Sequence, residues 1–441
     1  MANNPPHHLS IHYLRYLRTF RFYTIPIENN SIQATSLMQI SPLPITASKH
    51  DHINKGLVVL DPGFRNTAVG ESHLTYIDGN KGTLQYRQYS IGYLYKNHDY
   101  EDVAHLLIFG HLPTSDMKAS FRARITANMI PDESVINTVQ SLSPTAPTHL
   151  MITAGLSAWA AASPSAIPVH SGQSLYQDLD NIDAGIFRSL GAIATTVAIA
   201  YCHQNALPFS TASISPSLSQ IENMLKMMHR VDSSGAPEEK ARDAINRIWI
   251  LFADHEMTNS TATFLSAAST LCDPLSAIIT SVASGSGPLH AGAIDMVYKR
   301  FGQMGNKEGV AKHMDDVRAK KTRLMGVGHR VYRTVDPRVE YIREVMASVQ
   351  IGVEKIPLLD VAMEVDRIVA TDEYFVKRGL CINADLYGSF VYAALEFDAR
   401  IFVQLAGTAR SAGILAHWRE SSSQGPCLWR PKQIFNGLVV S

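Results

Sequence analysis

Apolar residues recur at spacings of three and four over most of the chain after residue 100, which is the pattern of amphipathic and buried helices. It predicts helices over residues 101–110, 149–162, 182–203, 217–229, 238–253, 274–284, 290–302, 338–348, 358–370 and 385–397. Between residues 57 and 93 the pattern changes to short β-like runs broken by turn dipeptides. Many helices and almost no strands indicate an all-α fold.

Proline marks three of the predicted helix starts. In Asp273-Pro274 and Asp336-Pro337, an aspartate that can cap a helix precedes a proline, the residue favoured at the first helical position. Pro237 precedes two glutamates in a similar way. These signals predict where the helices after residues 237, 273 and 336 begin.

The most apolar stretch of the chain runs from Ile182 to Cys202. It contains Asp183 and Arg188 and is interrupted by two glycines, so it does not meet the criteria for a clean bilayer span. Its alanine and isoleucine content is typical of a helix buried on most sides of a large helical core. We therefore expect a core helix in preference to a membrane role.

The first fifty residues are rich in His, Asn, Pro and Ser and lack sustained periodicity, so we expect residues 1–56 to form an N-terminal extension. Basic and apolar residues interleave here with no acid before Glu28: Leu14, Arg15, Leu17, Arg18, Phe20 and Arg21. Two interpretations remain open, a mitochondrial presequence and a basic, partly disordered extension. The final residues, Val439 to Ser441, are not an S-K-L peroxisomal ending.

Net charge and cysteine spacing limit the binding partners and the cellular compartments that we expect for the protein. The 39 basic residues balance the 39 acidic ones, so no net field attracts nucleic acid or a membrane, and an anionic ligand must be held locally. The four cysteines form no CxxC pair, which argues against a zinc ribbon or a disulfide framework and favours a reduced, intracellular compartment. No dinucleotide-binding or P-loop motif is evident.

His290 lies in a glycine-rich stretch, SGSGPLHAGA at 284–293, at the predicted start of a helix. Unpaired N–H groups and the helix dipole there disfavour an imidazolium, so the ring is expected to be neutral and able to donate a hydrogen bond to a developing oxyanion. The alternative is a histidine that simply fills space beside a glycine-rich turn.

His329 lies in a second unusual stretch, GVGHRVYRTVDPR at 326–338. Glycines let a ligand approach the backbone, and Arg330, Arg333 and Arg338 supply donors suited to carboxylates or phosphates. This stretch is a candidate anion site, and a solvated basic loop is the alternative.

His255 and Asp385 have several interpretations each. His255, in ADHEM at 253–257, fits a metal ligand, an acid–base group or an ion-paired surface residue, and the stretch is not a zinc protease motif. Asp385, in INADLYG at 382–388, fits a carboxylate at a helix N-terminus. It also fits a catalytic base, because apolar neighbours raise the pKa of a carboxylate.

Together and in this order, these segments resemble the citrate synthase family from about Leu57 to Phe435. The motifs that carry the resemblance are GPLH at 287–290, GHRVY at 328–332, DPR at 336–338, NAD at 383–385 followed by Tyr387, ADHE at 253–256, AR at 409–410, AHW at 416–418 and RP at 430–431. The GHRVY motif is closer to the bacterial, peroxisomal and methylcitrate branch than to the animal mitochondrial one.

The resemblance implies the citrate synthase fold, an all-α homodimer. A large helical domain at 57–293 carries a smaller helical domain at 294–405 that closes over the active site, and residues 406–441 return to the large domain and the dimer partner. The substrates implied are an acyl-CoA and oxaloacetate, with no metal and no tightly bound cofactor.

The resemblance also assigns roles to individual residues. Asp385 removes a proton from the acyl-CoA, His290 stabilises the enolate and His329 polarises the keto group. The substrate carboxylates are held by His255, Arg338, Arg410 and, from the neighbouring subunit, Arg430. The CoA contacts implied are Lys320, Lys321, Arg323, Gly326, Val327 and Gly328. A base paired with oxyanion stabilisation is what deprotonation of a thioester α-carbon requires.

Three departures from the family pattern bear on the acyl group: Leu386 beside the catalytic aspartate, Ala291 after His290, and Thr258-Asn259. Leucine is smaller than the phenylalanine common at this position, so more room beside the alkyl end is expected. The pattern resembles fungal alkylcitrate synthases of secondary metabolism, with housekeeping citrate or 2-methylcitrate synthase as the alternative. A non-catalytic scaffold would be marked by loss of His290, His329 or Asp385, all of which are present.

Overall fold

The computed structural model describes residues 12–16, 21–41, 56–350, 354–425 and 427–438. The chain divides into two compact units, residues 1–71 and 72–441. The first unit therefore reaches beyond the predicted extension at 1–56. Residues 1–11, 17–20 and 439–441, which carry part of the presequence pattern and the C-terminal ending, lie outside the described residues.

The first unit contains a β-hairpin where the sequence shows no sustained periodicity. Strand β1 (His12–Tyr16) pairs antiparallel with β2 (Arg21–Ile25), with His12 opposite Ile25. A 3₁₀ helix at Ala34–Gln39 follows. The strands are rich in aromatic and β-branched residues, which have high β-propensity, but five residues are too few to establish an alternating pattern.

The second unit is mostly helical, as predicted. A small antiparallel sheet opens it, in the order β3 (Thr75–Asp78), β4 (Thr83–Tyr86) and β5 (Tyr89–Ser90). The helices of the described residues are α1 (Ile91–Asn97), α2 (Tyr100–Phe109), α3 (Ser115–Ala127), α4 (Glu133–Gln140), α5 (Thr148–Ala161), α6 (Pro168–Ser171), α7 (Leu179–Gln204), α8 (Gln220–Met227), α9 (Glu239–Phe252), α10 (Asn259–Ala268), α11 (Pro274–Gly285), α12 (Ala293–Met304), α13 (Lys307–Arg318), α14 (Arg338–Ser348), α15 (Leu358–Thr371), α16 (Glu373–Val376), α17 (Ala384–Ala394) and α18 (Phe402–Ser423).

Each of the ten predicted helices occurs, with ends shifted by a few residues, but five longer helices were not predicted. These are α3, α4, α10, α13 and α18. The largest omission is α18, which is buried on most sides from Phe402 to Trp418. Its buried positions include Thr408, Ser411 and His417, so apolar residues alone do not mark its buried face.

The most apolar stretch forms α7, a core helix, as predicted. Among the described residues α7 alone is long and apolar enough to cross a membrane, and its most apolar window is 94% buried within the protein. It packs against α5 and α18. Burial on most sides explains why this segment is apolar with little amphipathicity.

The predicted helix starts are largely confirmed. Asp273 caps α11, accepting a hydrogen bond from the backbone N–H of Ser276 at 3.0 Å, with Pro274 at the first helical position. Asp336 accepts the N–H of Arg338 at 3.0 Å, but α14 begins at Arg338, so Pro337 precedes the helix and does not open it. After Pro237, α9 begins at Glu239.

Candidate active site

His290 is held at the start of a helix, but not the one that the sequence suggested. The following helix, α12, begins only at Ala293, whereas the His290 ring lies at the first turn of α10. There the backbone N–H of Ser260 donates to Nε2 at 3.2 Å, and the Ser260 hydroxyl lies 2.8 Å from the same nitrogen. A backbone N–H can only donate, so Nε2 is the acceptor and Nδ1 carries the proton of the neutral ring.

The environment keeps His290 neutral. Burial, and secondarily the Arg410 guanidinium, lower the pKa of His290 to about 4. The helix N-terminus acts in the same direction, because a positive charge there is unfavourable. His290 is therefore a neutral hydrogen-bond donor through Nδ1 at physiological pH, as the sequence predicted.

His329 is also neutral, with its proton on the other nitrogen. Its Nδ1 accepts hydrogen bonds from the backbone N–H groups of Val331 at 3.0 Å and Tyr332 at 3.2 Å. Burial and the nearby Arg338 lower the pKa of His329 to about 4. The loop therefore leaves Nε2–H as the donor of this imidazole.

His255 is buried, so its interpretation as an ion-paired surface residue is wrong. Only 8% of it is exposed, and its Nε2 lies 3.2 Å from the hydroxyl of Tyr332. The rings of His255 and His329 meet edge to face, with centroids 5.1 Å apart. Burial, followed by Arg338 and Arg410, holds the pKa of His255 well below its usual range. The two neutral histidines thus form one polar wall of the candidate site.

Arg338 is fixed in this wall by an acid that the sequence suggested only as a helix cap. Asp336, 1% exposed, accepts from Arg338 Nε at 3.0 Å and from Nη2 at 2.6 Å. It also accepts the N–H of Ala384 at 3.2 Å, which connects the starts of α14 and α17. The bidentate pair orients the guanidinium and leaves the Nη1 donors for an anionic ligand.

Arg410 is the second cation of the site and projects from α18. Its Nε donates to the carbonyl of Phe252, at the end of α9, at 2.6 Å. Its charge influences the pKa values of His290, His255 and Asp385, which places all three in one electrostatic neighbourhood. Within the described residues Arg410 forms no ion pair, so its terminal nitrogens remain available to a carboxylate.

Asp385 lies in the first turn of α17 and has the properties of a base. The cap of this helix is Asn383, whose side-chain oxygen accepts the N–H of Asp385 at 3.0 Å. Burial raises the pKa of Asp385 to about 6, although Arg338 opposes the shift. The carboxylate is therefore ionised at pH 7 but more basic than an ordinary aspartate.

The glycines at 326–328 form a backbone loop beside Asp385. Gly326 and Gly328 have φ of +79° and +81°, a conformation that favours glycine. The loop pairs with residues 381–383, because Gly328 N–H donates to the carbonyl of residue 381 at 2.7 Å and Asn383 N–H to that of Gly326 at 3.0 Å. Residues 381–383, with which the loop pairs, lead directly into α17, the helix that carries Asp385.

Leu386 does not border open space, contrary to the expectation from its size. It is 0% exposed, and a Cβ placed on Gly326 would lie 3.1 Å from Leu386 Cδ1. The close approach of the glycine loop occupies the space that the smaller side chain of Leu386 would otherwise leave. Its size therefore does not by itself enlarge a substrate pocket.

The remaining predicted residues are on the surface. Arg430 is exposed and makes no hydrogen bond or ion pair with the part of this chain that the structure describes. Lys320, Lys321 and Arg323 are also exposed, and Lys321 lies 3.5 Å from Asp316. The structure of one chain does not bring these four cations together with the histidines.

Five contributors to the site were not identified as site residues from the sequence: Asp254, Ser260, Tyr332, Asp336 and His417. Tyr332, Asp254, Asp336 and His417 stand inside motifs that were recognised, so their positions gave a signal. For Ser260 the sequence offers no signal except its nearness to His255, because Ser260 contacts His290, which lies thirty positions away in the chain.

A family model described as "Citrate synthase, C-terminal domain" matches residues 63–432. The chain belongs to the citrate synthase family. Its relatives include the citrate synthase-like protein oryE of Aspergillus oryzae, 41% identical over 422 residues, which are 95% of this chain and 94% of oryE. They also include the alkylcitrate synthase tstJ of Talaromyces stipitatus, 32% identical over 427 residues, which are 96% of this chain and 93% of tstJ.

Solved structures of the family share the fold. Citrate synthase from the archaeon Thermoplasma acidophilum, solved as a ternary complex with carboxymethyl coenzyme A and oxaloacetate, is similar with a TM-score of 0.78 and 25% identity. The similarity covers 87% of this chain and 97% of the archaeal one. The fold predicted from the resemblance, the mostly helical citrate synthase fold, is therefore confirmed.

Proposed function

We propose that the protein condenses an acyl-CoA with oxaloacetate through an enolate and hydrolyses the resulting thioester to a citrate or alkylcitrate and CoA. The observation that carries this proposal is the pair of neutral imidazoles with opposite tautomers. His290 offers Nδ1–H, His329 offers Nε2–H, and Asp385 supplies a carboxylate whose pKa is raised to about 6. Two donors and one base are the set that an enolate condensation needs.

In the proposed reaction, the Asp385 carboxylate takes a proton from the α-carbon of the acyl-CoA. The electron pair of the broken C–H bond moves towards the thioester oxygen, where His290 Nδ1–H donates a hydrogen bond to the enolate. A neutral donor matches this oxygen because its charge appears only as the proton leaves. The enolate carbon then attacks the keto carbon and forms the new C–C bond.

His329 completes the condensation at the other substrate. Its Nε2–H donates to the keto oxygen, and it supplies the proton as that oxygen becomes a hydroxyl. Water then attacks the thioester carbonyl, and the C–S bond breaks to release the CoA thiol and a carboxylic acid. No metal or tightly bound cofactor takes part in this scheme.

The carboxylates of oxaloacetate are assigned to Arg338, Arg410 and His255. Arg338 and Arg410 each retain guanidinium donors with no hydrogen-bond partner among the described residues, and such donors suit a carboxylate. We extend the proposal to a homodimer in which Arg430 serves the neighbouring subunit's site. In that proposal residues 57–293 and 294–405 form two domains that close over the substrates and exclude water.

For the acyl group we propose an alkylcitrate synthase of fungal secondary metabolism, with citrate or 2-methylcitrate synthase as the alternative. Support comes from relatives named as citrate synthase-like proteins and alkylcitrate synthases. CoA itself is assigned to the backbone of 326–328 and to Lys320, Lys321 and Arg323.

The test is release of free thiol from a series of acyl-CoAs, from acetyl to decanoyl, with and without oxaloacetate. Oxaloacetate-dependent release supports the condensation. A higher kcat/KM for hexanoyl- or octanoyl-CoA than for acetyl-CoA supports the alkylcitrate proposal, and use of acetyl-CoA alone leaves ordinary citrate synthase. Thiol release that is independent of oxaloacetate, or none at all, contradicts the proposed function.

A further inference from the structure

One face of α18 binds the three residues that precede His255. Arg410 Nε donates to the carbonyl of residue 252 at 2.6 Å, and Gly413 N–H donates to the carbonyl of residue 253 at 3.1 Å. His417 Nε2 lies 3.3 Å from Asp254 Oδ2. Positions 410, 413 and 417 lie on the same side of a helix, so α18 contacts this segment residue by residue.

Gly413 makes this close approach feasible. A Cβ at position 413 would lie 2.4 Å from the carbonyl oxygen of Ala253 and 2.4 Å from Asp254 Oδ1. Only a residue without a side chain allows the helix backbone to approach the segment in this way. The contact between α18 and the turn at His255 is therefore direct.

The side chain of Asp254, the residue before His255, reaches across to the backbone of the residue after it. Its Oδ2 accepts from the hydroxyl of Thr75 at 2.5 Å and from the N–H of Glu256 at 3.0 Å, in addition to His417. Glu256 adopts φ of +55°, a conformation that is unfavourable for a residue with a side chain. The Asp254 carboxylate thus stabilises a strained turn with His255 in its middle.

Asp254 and His417 form a buried ion pair. They are 0% and 4% exposed. Burial alone would lower the pKa of His417, but the adjacent Asp254 carboxylate outweighs it and raises the pKa above the usual value. Burial likewise opposes ionisation of Asp254, yet His417 and the hydrogen bonds hold its pKa below the usual range. Removing one partner would leave the other charge buried and unpaired.

The two carboxylate oxygens of Asp254 differ in their hydrogen bonding. Oδ1 is buried and has no hydrogen-bond partner among the described residues, so the donors converge on Oδ2. Without His417, a buried carboxylate would keep only Thr75 and the backbone of Glu256, and it would gain from moving towards water. That movement would carry the neighbouring His255 with it.

We propose that His417 is a positioning residue for the keto-acid substrate, acting through Asp254 to aim the buried His255 at a substrate carboxylate. This inference rests on the proposed function. His417 touches no substrate in this scheme. It holds in place the turn that carries His255, and His255 contacts the substrate. Residues around a site commonly orient the ligand-contacting residues in this way.

The test is the binding of oxaloacetate to the full-length protein by calorimetry, in wild type and in His417→Gln. Wild type is measured first, because failure of wild type to bind oxaloacetate contradicts the proposed function and not the positioning role alone. In His417→Gln we expect the Kd for oxaloacetate to rise roughly 10- to 100-fold, the range for small displacements of a binding group. The KM for acyl-CoA at saturating oxaloacetate should stay within about threefold.

The matched control is His105→Gln. His105 is also a buried histidine, 6% exposed, with a hydrogen bond at 2.9 Å to the carbonyl of His111, and it packs among phenylalanines. We expect this variant to lose thermal stability without any change in the Kd for oxaloacetate. Equal effects of the two substitutions on stability, with an unchanged Kd in both, would overturn the positioning role.

A double-mutant cycle with His255→Ala separates positioning from general damage. If His417 acts through His255, adding His417→Gln to His255→Ala should cause little further loss of affinity. A full additional loss would contradict the proposal. Should His417→Gln fail to fold, Thr75→Val removes another donor to Asp254 and retains His417. Thr75→Val should then weaken oxaloacetate binding in the same direction, and an unchanged Kd there would equally count against the proposal.

Discussion

At the scale of single residues, the site depends on which nitrogen of each histidine carries a proton. Backbone N–H groups determine this, from Ser260 for His290 and from Val331 and Tyr332 for His329. Two rings of the same chemical type therefore present opposite nitrogens as donors. Both have pKa values lowered by burial to about 4, so neither needs to lose a proton before it acts at neutral pH.

Asp385→Asn is expected to abolish the base while keeping the size of the side chain. Turnover should fall by roughly two to four orders of magnitude, the usual range for loss of a general base. Oxaloacetate should bind as in wild type, because its assigned ligands are unchanged. Steady-state thiol release and calorimetry measure the two quantities, and a folded variant with near-normal turnover would remove Asp385 from the mechanism.

The pH dependence of kcat/KM follows from the same residue. Burial raises the pKa of Asp385 to about 6, and the base acts in its ionised form. Activity should therefore be constant above that pH and fall by about tenfold per pH unit well below it. The measurement is kcat/KM between pH 4.5 and 8.

Asp295→Asn is the matched control for this profile. Asp295, in the first turn of α12, is another acid whose pKa burial raises to about 6, and it has no role in the proposed chemistry. The acidic limb should persist in Asp295→Asn. If kcat/KM no longer fell at acidic pH in Asp295→Asn, the fall would be due to Asp295 and not to Asp385.

At the scale of elements, the start of α17 and the glycine loop at 326–328 form one unit. The loop pairs with the residues that lead into the helix, and Leu386 fills the space beneath Gly326. A change in the size of residue 386 therefore acts on the loop first. This differs from the expectation that Leu386 borders the acyl chain.

Leu386→Phe is accordingly expected to lower kcat/KM for short and long acyl-CoAs together. Overpacking typically costs about 1–3 kcal/mol, which is roughly a 5- to 150-fold loss. Leu386→Met, of similar volume, is the control and should cost less. The measurement is the ratio of kcat/KM for octanoyl-CoA to that for acetyl-CoA. A fall in that ratio in the phenylalanine variant alone would show instead that Leu386 limits the length of the acyl group.

At the scale of the whole molecule, Arg430 indicates how the chains cooperate. It is exposed in the C-terminal segment and has no hydrogen-bond or ion-pair partner among the described residues of its own chain, while the proposed homodimer assigns it to a carboxylate site. A second copy of the chain is the proposed recipient. The proposal therefore predicts a site built from two subunits.

Mixing two inactive variants tests this arrangement. Arg430→Ala and Asp385→Asn chains, after subunit exchange, should regain activity in mixed dimers, because one of the two sites then contains neither substitution. Recovery approaching one quarter of wild-type activity is expected if random mixing gives about half mixed dimers with one intact site each. Lys432→Ala, a neighbouring exposed cation, should remain active by itself. Confirmed exchange without recovered activity would place Arg430 outside the partner's site.

The sequence by itself determined the family, ten of the helices and most of the positions at which helices begin. Helical spacing and cap chemistry are local properties, so ten helices and the start of α11 could be predicted. The motifs around His290, His329 and Asp385 sufficed to indicate the family, and the chemistry that they imply stays a proposal. The helix α18 was not predicted, because polar residues such as Thr408, Ser411 and His417 occupy buried positions where the spacing rule expects apolar ones.

Only the tertiary structure decided how those residues are held. His417 and Asp254 are 163 positions apart, and Arg410 is 158 positions from the carbonyl that it contacts. The helix that supports His290 is not the one that follows it in the chain. Contacts of this kind are selected by packing and by the need to pair buried polar groups, and neither leaves a periodic trace in the sequence. The motifs indicated the family, and the packing determined the proton positions and the buried charges on which the proposed chemistry depends.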